Sequence, residues 1–197
     1  MQTWTAPIRK AVIAATLTGA VVAGTVGIDA AFTPQASASA SSDAAYQHQL
    51  VVKTLNSFYK PALQGKFPGD MNSFTIGKTT RSEVIARIGT PDMPRSSVNG
   101  YDTYHADMGQ PGYAFHYNKN GVLDEMRYFG TNVERQTNIG GMTMKLLREQ
   151  WYAPSSVSTI GKGKSKQTEI TYLRGHYKLE FIFNSSTDLD HINLLKA

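Results

Sequence analysis

"FTIGKTTRSEVIARIGTP", residues 74–91, carries the local signals of a short helix entered from a strand and left through a turn. Thr80 and Glu83 stand at capping-box spacing, where each side chain satisfies an amide that the first helical turn leaves without a partner. Val84, Ile85 and Ile88 make one apolar face, Gly89 suits a left-handed stop, and Pro91 forbids continuation. A fainter copy follows in "TNIGGMTMKLLREQWYAP", residues 137–154. Ile139, Gly140, Thr143, Leu147, Trp151 and Pro154 repeat Ile76, Gly77, Thr80, Val84, Ile88 and Pro91 at one offset, 63 residues (139 − 76, 154 − 91). The copy departs at two places: Leu146 replaces the box partner Glu83, and Tyr152 replaces the stop Gly89.

Each helix is followed by strand material. "YDTYHAD", "GYAFHYNKNG" and "VLDEMRYF" follow the first, and "TEITYLRG", "YKLEFIFNSS" and "LDHINLL" the second. The runs alternate, are rich in aromatic residues and are broken by Gly, Asn or Ser, as antiparallel hairpins require; Asn120-Gly121 is the strongest turn signal. The expected fold is therefore α+β: two tandem helix-plus-antiparallel-meander repeats forming one curved sheet, with helices on one face. The repeats are placed at 74–130 and 137–197, joined by a connector at 131–136. Upstream, "DAAYQHQLVVKTLNSFYK" sets Leu50, Val51, Leu55 and Phe58 at helical spacing before Pro61, which gives an N-terminal helix and loop over 41–73.

Residues 1–40 read as a secretory signal peptide. Arg9 and Lys10 precede an Ala-, Gly- and Thr-rich apolar stretch, and "QASASASS" offers small-residue cleavage sites after Ala38 or Ala40. A retained anchor would need roughly 20 strongly apolar residues. Without cysteine there is also no thiol to carry a lipid, so no stable membrane anchor is expected after cleavage. The remaining 157 residues (197 − 40) carry 18 Lys and Arg (20 less Arg9 and Lys10) and 14 Asp and Glu (15 less Asp29). A chain of that size buries roughly 70% of its unfolded surface, enough to fold without disulfides or metal. The mild positive charge reads as solubility charge, with no nucleic-acid partner implied.

"FTIGKTTRSEVIARIGTP", "YDTYH" and "YAFHYNKNGVLDEMRYF" together resemble the YjgB-like domain of unknown function found in secreted proteins of Gram-positive bacteria. The I-G-x-x-T-x-x-x-V-x-x-x-x-G-x-P core is more distantly similar to the repeat of β-lactamase inhibitor protein and to outer-membrane assembly lipoproteins of the SmpA/OmlA type. The resemblance spans about residues 74–196. It implies two helix-plus-sheet units side by side; in the inhibitor, the concave sheet face grips an enzyme.

Alternation points Tyr113, Phe115, Tyr117, Leu179, Phe181 and Phe183 under the helices. His116, Asn118, Glu125, Arg127, Lys178, Glu180, His191 and Asn193 are left on a mixed-charge solvent face, with Tyr101 and Tyr104 as aromatic anchors at its edge. Tyr101, Tyr104, His116, Glu125, Arg127, Lys178, Glu180 and His191 are the candidate binding residues. Catalytic and metal sites are not expected. His48, His105, His116, His176 and His191 form no ligand pair, no G-x-S-x-G elbow marks a nucleophile, and "GKGKS" (161–165) lacks the earlier glycine of a phosphate loop. Asp124 and Glu125, adjacent in a strand, are expected on opposite faces, which argues against paired acid/base work. The sequence thus predicts a secreted, monomeric, non-catalytic binding protein without cofactor. Its partner would be a protein or a cell-wall polymer, and the alternative is a wall hydrolase or transferase.

Overall fold

The computed structural model describes residues 36–107, 109–131 and 139–197. Most of the expected signal peptide and most of the expected connector lie outside the described residues. Helix α1 (Ala36–Ser57) begins within the small-residue stretch where cleavage is expected, earlier than the periodicity suggested. Pro61 does not end the helical segment: it sits in the first turn of α2 (Tyr59–Ala62), where its missing N–H would have had no helical acceptor. A 3-10 turn (Gly69–Ser73) then leads to α3 (Arg81–Ile88).

The full capping box predicted for α3 is present: Thr80 Oγ1 accepts from the Glu83 amide, and Glu83 accepts from the Thr80 amide at 2.7 Å. Helix α4 (Met144–Trp151) keeps only the first half, with the Leu146 amide donating to Thr143 Oγ1 at 3.0 Å. Both helices stop in the same unusual backbone region, Gly89 at φ 89, ψ −177 and Tyr152 at φ 60, ψ −147. Only glycine enters that region without strain.

The strands are β1 (Tyr101–Tyr104), β2 (Gly112–Tyr117), β3 (Leu123–Gly130), β4 (Ser156–Ile160), β5 (Gln167–Arg174), β6 (Tyr177–Ser185) and β7 (Asp188–Lys196). They form one seven-stranded sheet in the order β1-β2-β3-β7-β6-β5-β4, with every neighbour antiparallel. The seam between the two halves is β3 against β7, with Met126 opposite Leu194 and Tyr128 opposite Ile192. Strand β4 is one more than the three-strand meander expected after α4.

One sheet face carries the core. Phe115, Tyr117, Met126, Ile170, Leu179, Phe181, Phe183, Ile192 and Leu194 are buried there with Val51, Leu55 and Phe58 of α1, Val84 of α3, and Leu147 and Trp151 of α4. Trp151 is the hub of the second half. Its ring meets Tyr59, Tyr172 and Phe181 edge-on at 5.3–5.4 Å, and its indole N–H donates to Asn56 Oδ1 at 2.9 Å. Arg174 lies in this group with its guanidinium carbon 4.2 Å from the Tyr59 ring and 4.7 Å from the Trp151 ring. Among the described residues no helix is long and apolar enough to cross a membrane.

Candidate functional site

Strand β1 is short and needs outside support. Met93 exchanges backbone hydrogen bonds with Thr103 at 2.9 and 3.1 Å. Asp102, fully buried and pointing inward, receives Arg81 through Nε at 2.6 Å and Nη2 at 3.1 Å, and the Arg95 amide at 2.9 Å. Asp102 is paired because a buried carboxylate without partners is too costly to keep. These bonds fix the register that opposes Tyr101 to His116.

The β2–β3 hairpin is the second support. Asn118 is not a face residue, as the alternation had suggested, but a turn residue: its Oδ1 accepts from the amides of Asn120 and Val122, and Gly121 takes φ 72. The N-terminus of α3 is bonded to the same hairpin, Arg81 N–H to Gly121 O at 2.9 Å and Leu123 N–H to Thr79 O at 2.8 Å.

A bulge follows the turn. His116 opposes Glu125 while Tyr117 opposes Leu123, so Asp124 is the extra residue. The expectation that Asp124 and Glu125 face opposite ways fails here, because a bulge sets two residues against one and breaks the alternation. Asp124 Oδ1 lies 2.6 Å from His116 Nδ1, and Glu125 Oε2 accepts from the Tyr101 hydroxyl at 2.9 Å. The Tyr101 and His116 rings are 5.3 Å apart. Arg127 closes the group. Its Nε donates to Glu125 Oε1 at 2.7 Å, its Nη2 to the Tyr101 oxygen at 2.6 Å, and its guanidinium lies 4.1 Å from the Tyr101 ring centre. Burial first, then the charge of Glu125, pushes the Tyr101 hydroxyl up to about 12, with Arg127 opposing. It stays protonated at any physiological pH.

Four of the eight sequence-selected residues, Tyr101, His116, Glu125 and Arg127, thus form one cluster, with Asp124 as an unforeseen fifth member. Lys178, Glu180 and His191 lie on the same face across β7 and β6. Lys178 Nζ is 2.7 Å from Glu180 Oε1, and Asn193 Nδ2 is 3.5 Å from Glu180 Oε2. The face is not the open wet surface expected, since Glu180 and His191 are 8% exposed and Asn193 5%. They stand on interior strands beneath longer neighbours: Lys178 pairs with Glu180, Arg127 is opposite Asn193, and the Phe129 ring is 5.5 Å from His191. Burial drives the His191 pKa down, against the raising effect of Asp190, whose Oδ2 lies 2.6 Å from His191 Nδ1.

Tyr104 does not join the cluster. It stands opposite Tyr113 and turns toward the helices, with its ring 5.5 Å from Phe115 and its hydroxyl donating to Gly89 O at 2.9 Å. Residues three apart in a strand fall on opposite faces, so Tyr101 and Tyr104 could not both have flanked one surface. Among the described residues no three His, Asp or Glu side chains converge as metal ligands. The cluster can do one chemically specific thing: the Asp124 carboxylate, 2.6 Å from His116 Nδ1, fixes the orientation of the imidazole ring.

These features define an α+β protein with a single antiparallel sheet, one face under helices and the other bearing a paired polar network. The chain belongs to the family Domain of unknown function (DUF4309), whose sequence profile matches residues 55–195. It is 35% identical over 190 residues to uncharacterized protein YjgB of Bacillus subtilis strain 168, covering 95% of this chain and 98% of the relative. The crystal structure of that DUF4309 protein superposes with a TM-score of 0.71 at 36% identity, over 76% of this chain and 99% of the other.

Proposed function

We propose that this protein is exported by a Gram-positive bacterium and acts outside the membrane as a monomeric, non-catalytic, inhibitor-like binding protein. Its docking surface is the outer sheet face centred on Tyr101 and Arg127. The observation that carries the reading is the clamp on Tyr101, whose hydroxyl is held at once by Glu125 and Arg127. A rigid Tyr–Arg pair loses little freedom on binding and belongs to the residue types that dominate interface energies. The partner is a protein. The named side chains set two cations, Arg127 and Lys178, against three carboxylates, Asp124, Glu125 and Glu180, a balance unsuited to an anionic wall polymer. The likeness to the β-lactamase inhibitor repeat belongs to the same reading. It is supported by the constant offset of the two helix motifs, their common stop, and a strand order that runs outward from β3 and β7.

Export is supported by the order of charge, apolar stretch and small residues before Ser41. Amino-terminal sequencing of protein from culture medium should give Ser39 or Ser41; an intact Met1 in the membrane fraction contradicts export. Protein purified from that medium should capture a secreted partner that the Tyr101→Ala/Arg127→Ala double variant loses while still unfolding in one cooperative transition. Capture should weaken as salt rises, since contacts beyond about 10 Å are screened at 0.1 M. Equal capture by the double variant removes the docking face, and co-sedimentation with purified wall polymer alone reassigns the partner. Light scattering tests the monomer. A second reading, a wall hydrolase or transferase, draws on the His116–Asp124 contact at 2.6 Å. Peptidoglycan turnover that disappears in His116→Ala would establish it.

A further inference from the structure

On the helix side, away from the polar network, a cleft of about 540 Å3 opens between the 3-10 turn, the end of α3 and the edge of β1 and β2. Asp70, Met71, Ile88, Tyr104, Gln110, Pro111 and Tyr113 line it, with the Gly69 backbone. The volume falls inside the range of small-molecule sites, about 300–1,000 Å3, and the lining has their usual make-up, apolar and aromatic walls with few polar groups. We infer that this cleft binds a small organic cation, a protonated or quaternary amine carried on an apolar body.

The walls dictate the body and the charges dictate the head. Met71, Ile88 and Pro111 offer only hydrocarbon or thioether surface. Tyr104 and Tyr113 face one another across the β1–β2 ladder, and tyrosine faces attract cations through their quadrupole. Asp70 is the charged side chain in the lining, exposed on the 3-10 turn, and its carboxylate has no ion-pair or hydrogen-bond partner among the described residues. Its backbone carbonyl is occupied by the Ser73 hydroxyl at 3.0 Å, which holds the turn that presents it. The Tyr113 hydroxyl, raised by burial first and then by Tyr128 and Asp70, stays neutral and adds no competing charge. Tyr104 is fixed by its bond to Gly89 O and Tyr113 by near-parallel packing on Phe115 at 6.1 Å, so the walls are formed before any ligand arrives. An anionic ligand would meet Asp70, and a neutral one would leave that carboxylate unused.

Hexyltrimethylammonium and 1-hexanol share an apolar chain and differ in charge, so they test both halves of the inference. Each is titrated into 15N-labelled full-length protein while amide shifts are followed. Saturable shifts should centre on Met71, Ile88, Tyr104 and Tyr113, with the cation binding about tenfold more tightly than the alcohol. Asp70→Asn, on an exposed turn, should keep the rest of the spectrum and cut the preference to about twofold. Shifts centred elsewhere, equal affinity for the two probes, or an undiminished preference in Asp70→Asn each overturn the assignment. The Tyr101→Ala/Arg127→Ala variant should bind the cation as the parent does, which keeps this result separate from the outer face.

Discussion

Tyr152 stands where the first helix has a glycine, and it adopts the glycine's backbone conformation at φ 60 while the residue is 80% exposed. Among the described residues no ring contact of Tyr152 offsets the strain; its carbonyl accepts from the Tyr172 hydroxyl at 3.1 Å. A side chain in that region costs about 1–3 kcal/mol. Tyr152→Gly should therefore raise the urea midpoint, with a gain of about 1 kcal/mol in unfolding free energy after the loss of chain stiffness in the unfolded state; a lowered midpoint would assign the ring a packing role. His191 supplies a pH test. Its folded pKa lies below the ordinary 6.5, so the unfolded chain takes up the proton first. Its contribution is intact above about pH 6.5 and is lost as pH falls from there toward the folded value. His191→Gln should flatten that part of the stability–pH curve while leaving the carboxylate-driven loss at lower pH. Alternation marked His191 as outward, correctly, but outward meant solvated only by assumption. On a central strand the neighbours Phe129 and Asp190 decide the burial.

At the scale of single elements, α3 and α4 show how much a short segment encodes. Thr80, Glu83, Gly89 and Pro91 define the limits of α3 because capping involves residues only three or four apart. Helix α4 has only the Thr143 half of the cap and depends more on tertiary packing, which Trp151 supplies. Trp151→Ala should cost about 3–5 kcal/mol, for it empties a site shared with Tyr59, Tyr172 and Phe181. An unchanged denaturation midpoint would place Trp151 outside the core. Strand β1 gives the contrasting case. Arg81→Ala leaves Asp102 buried without its cation and should destabilise by about 2–4 kcal/mol, and Asp102→Asn with Arg81→Ala should recover part of that loss. Additive losses would deny the coupling. No local pattern links Arg81 to Asp102, which is why the sequence reading passed over both.

For the whole molecule, the seam between β3 and β7 makes the two halves share one sheet and one core. Urea unfolding followed by Trp151 fluorescence and by far-ultraviolet circular dichroism should give coincident transitions; separate midpoints would show halves that fold alone. The sequence by itself determined the N-caps at Thr80 and Thr143, the stop of α3 at Gly89, the hairpin turn at Asn120-Gly121, the inward and outward faces of regular strand and the α+β class. All of these follow from contacts a few residues apart or from the strict period of a strand. Tertiary structure alone decided that a bulge turns Asp124 onto His116, that Tyr101 meets Glu125 and Arg127, and that Glu180, His191 and Asn193 are covered. Each of these depends on the partner strand or on elements brought from elsewhere in the chain, whose position no local spacing records.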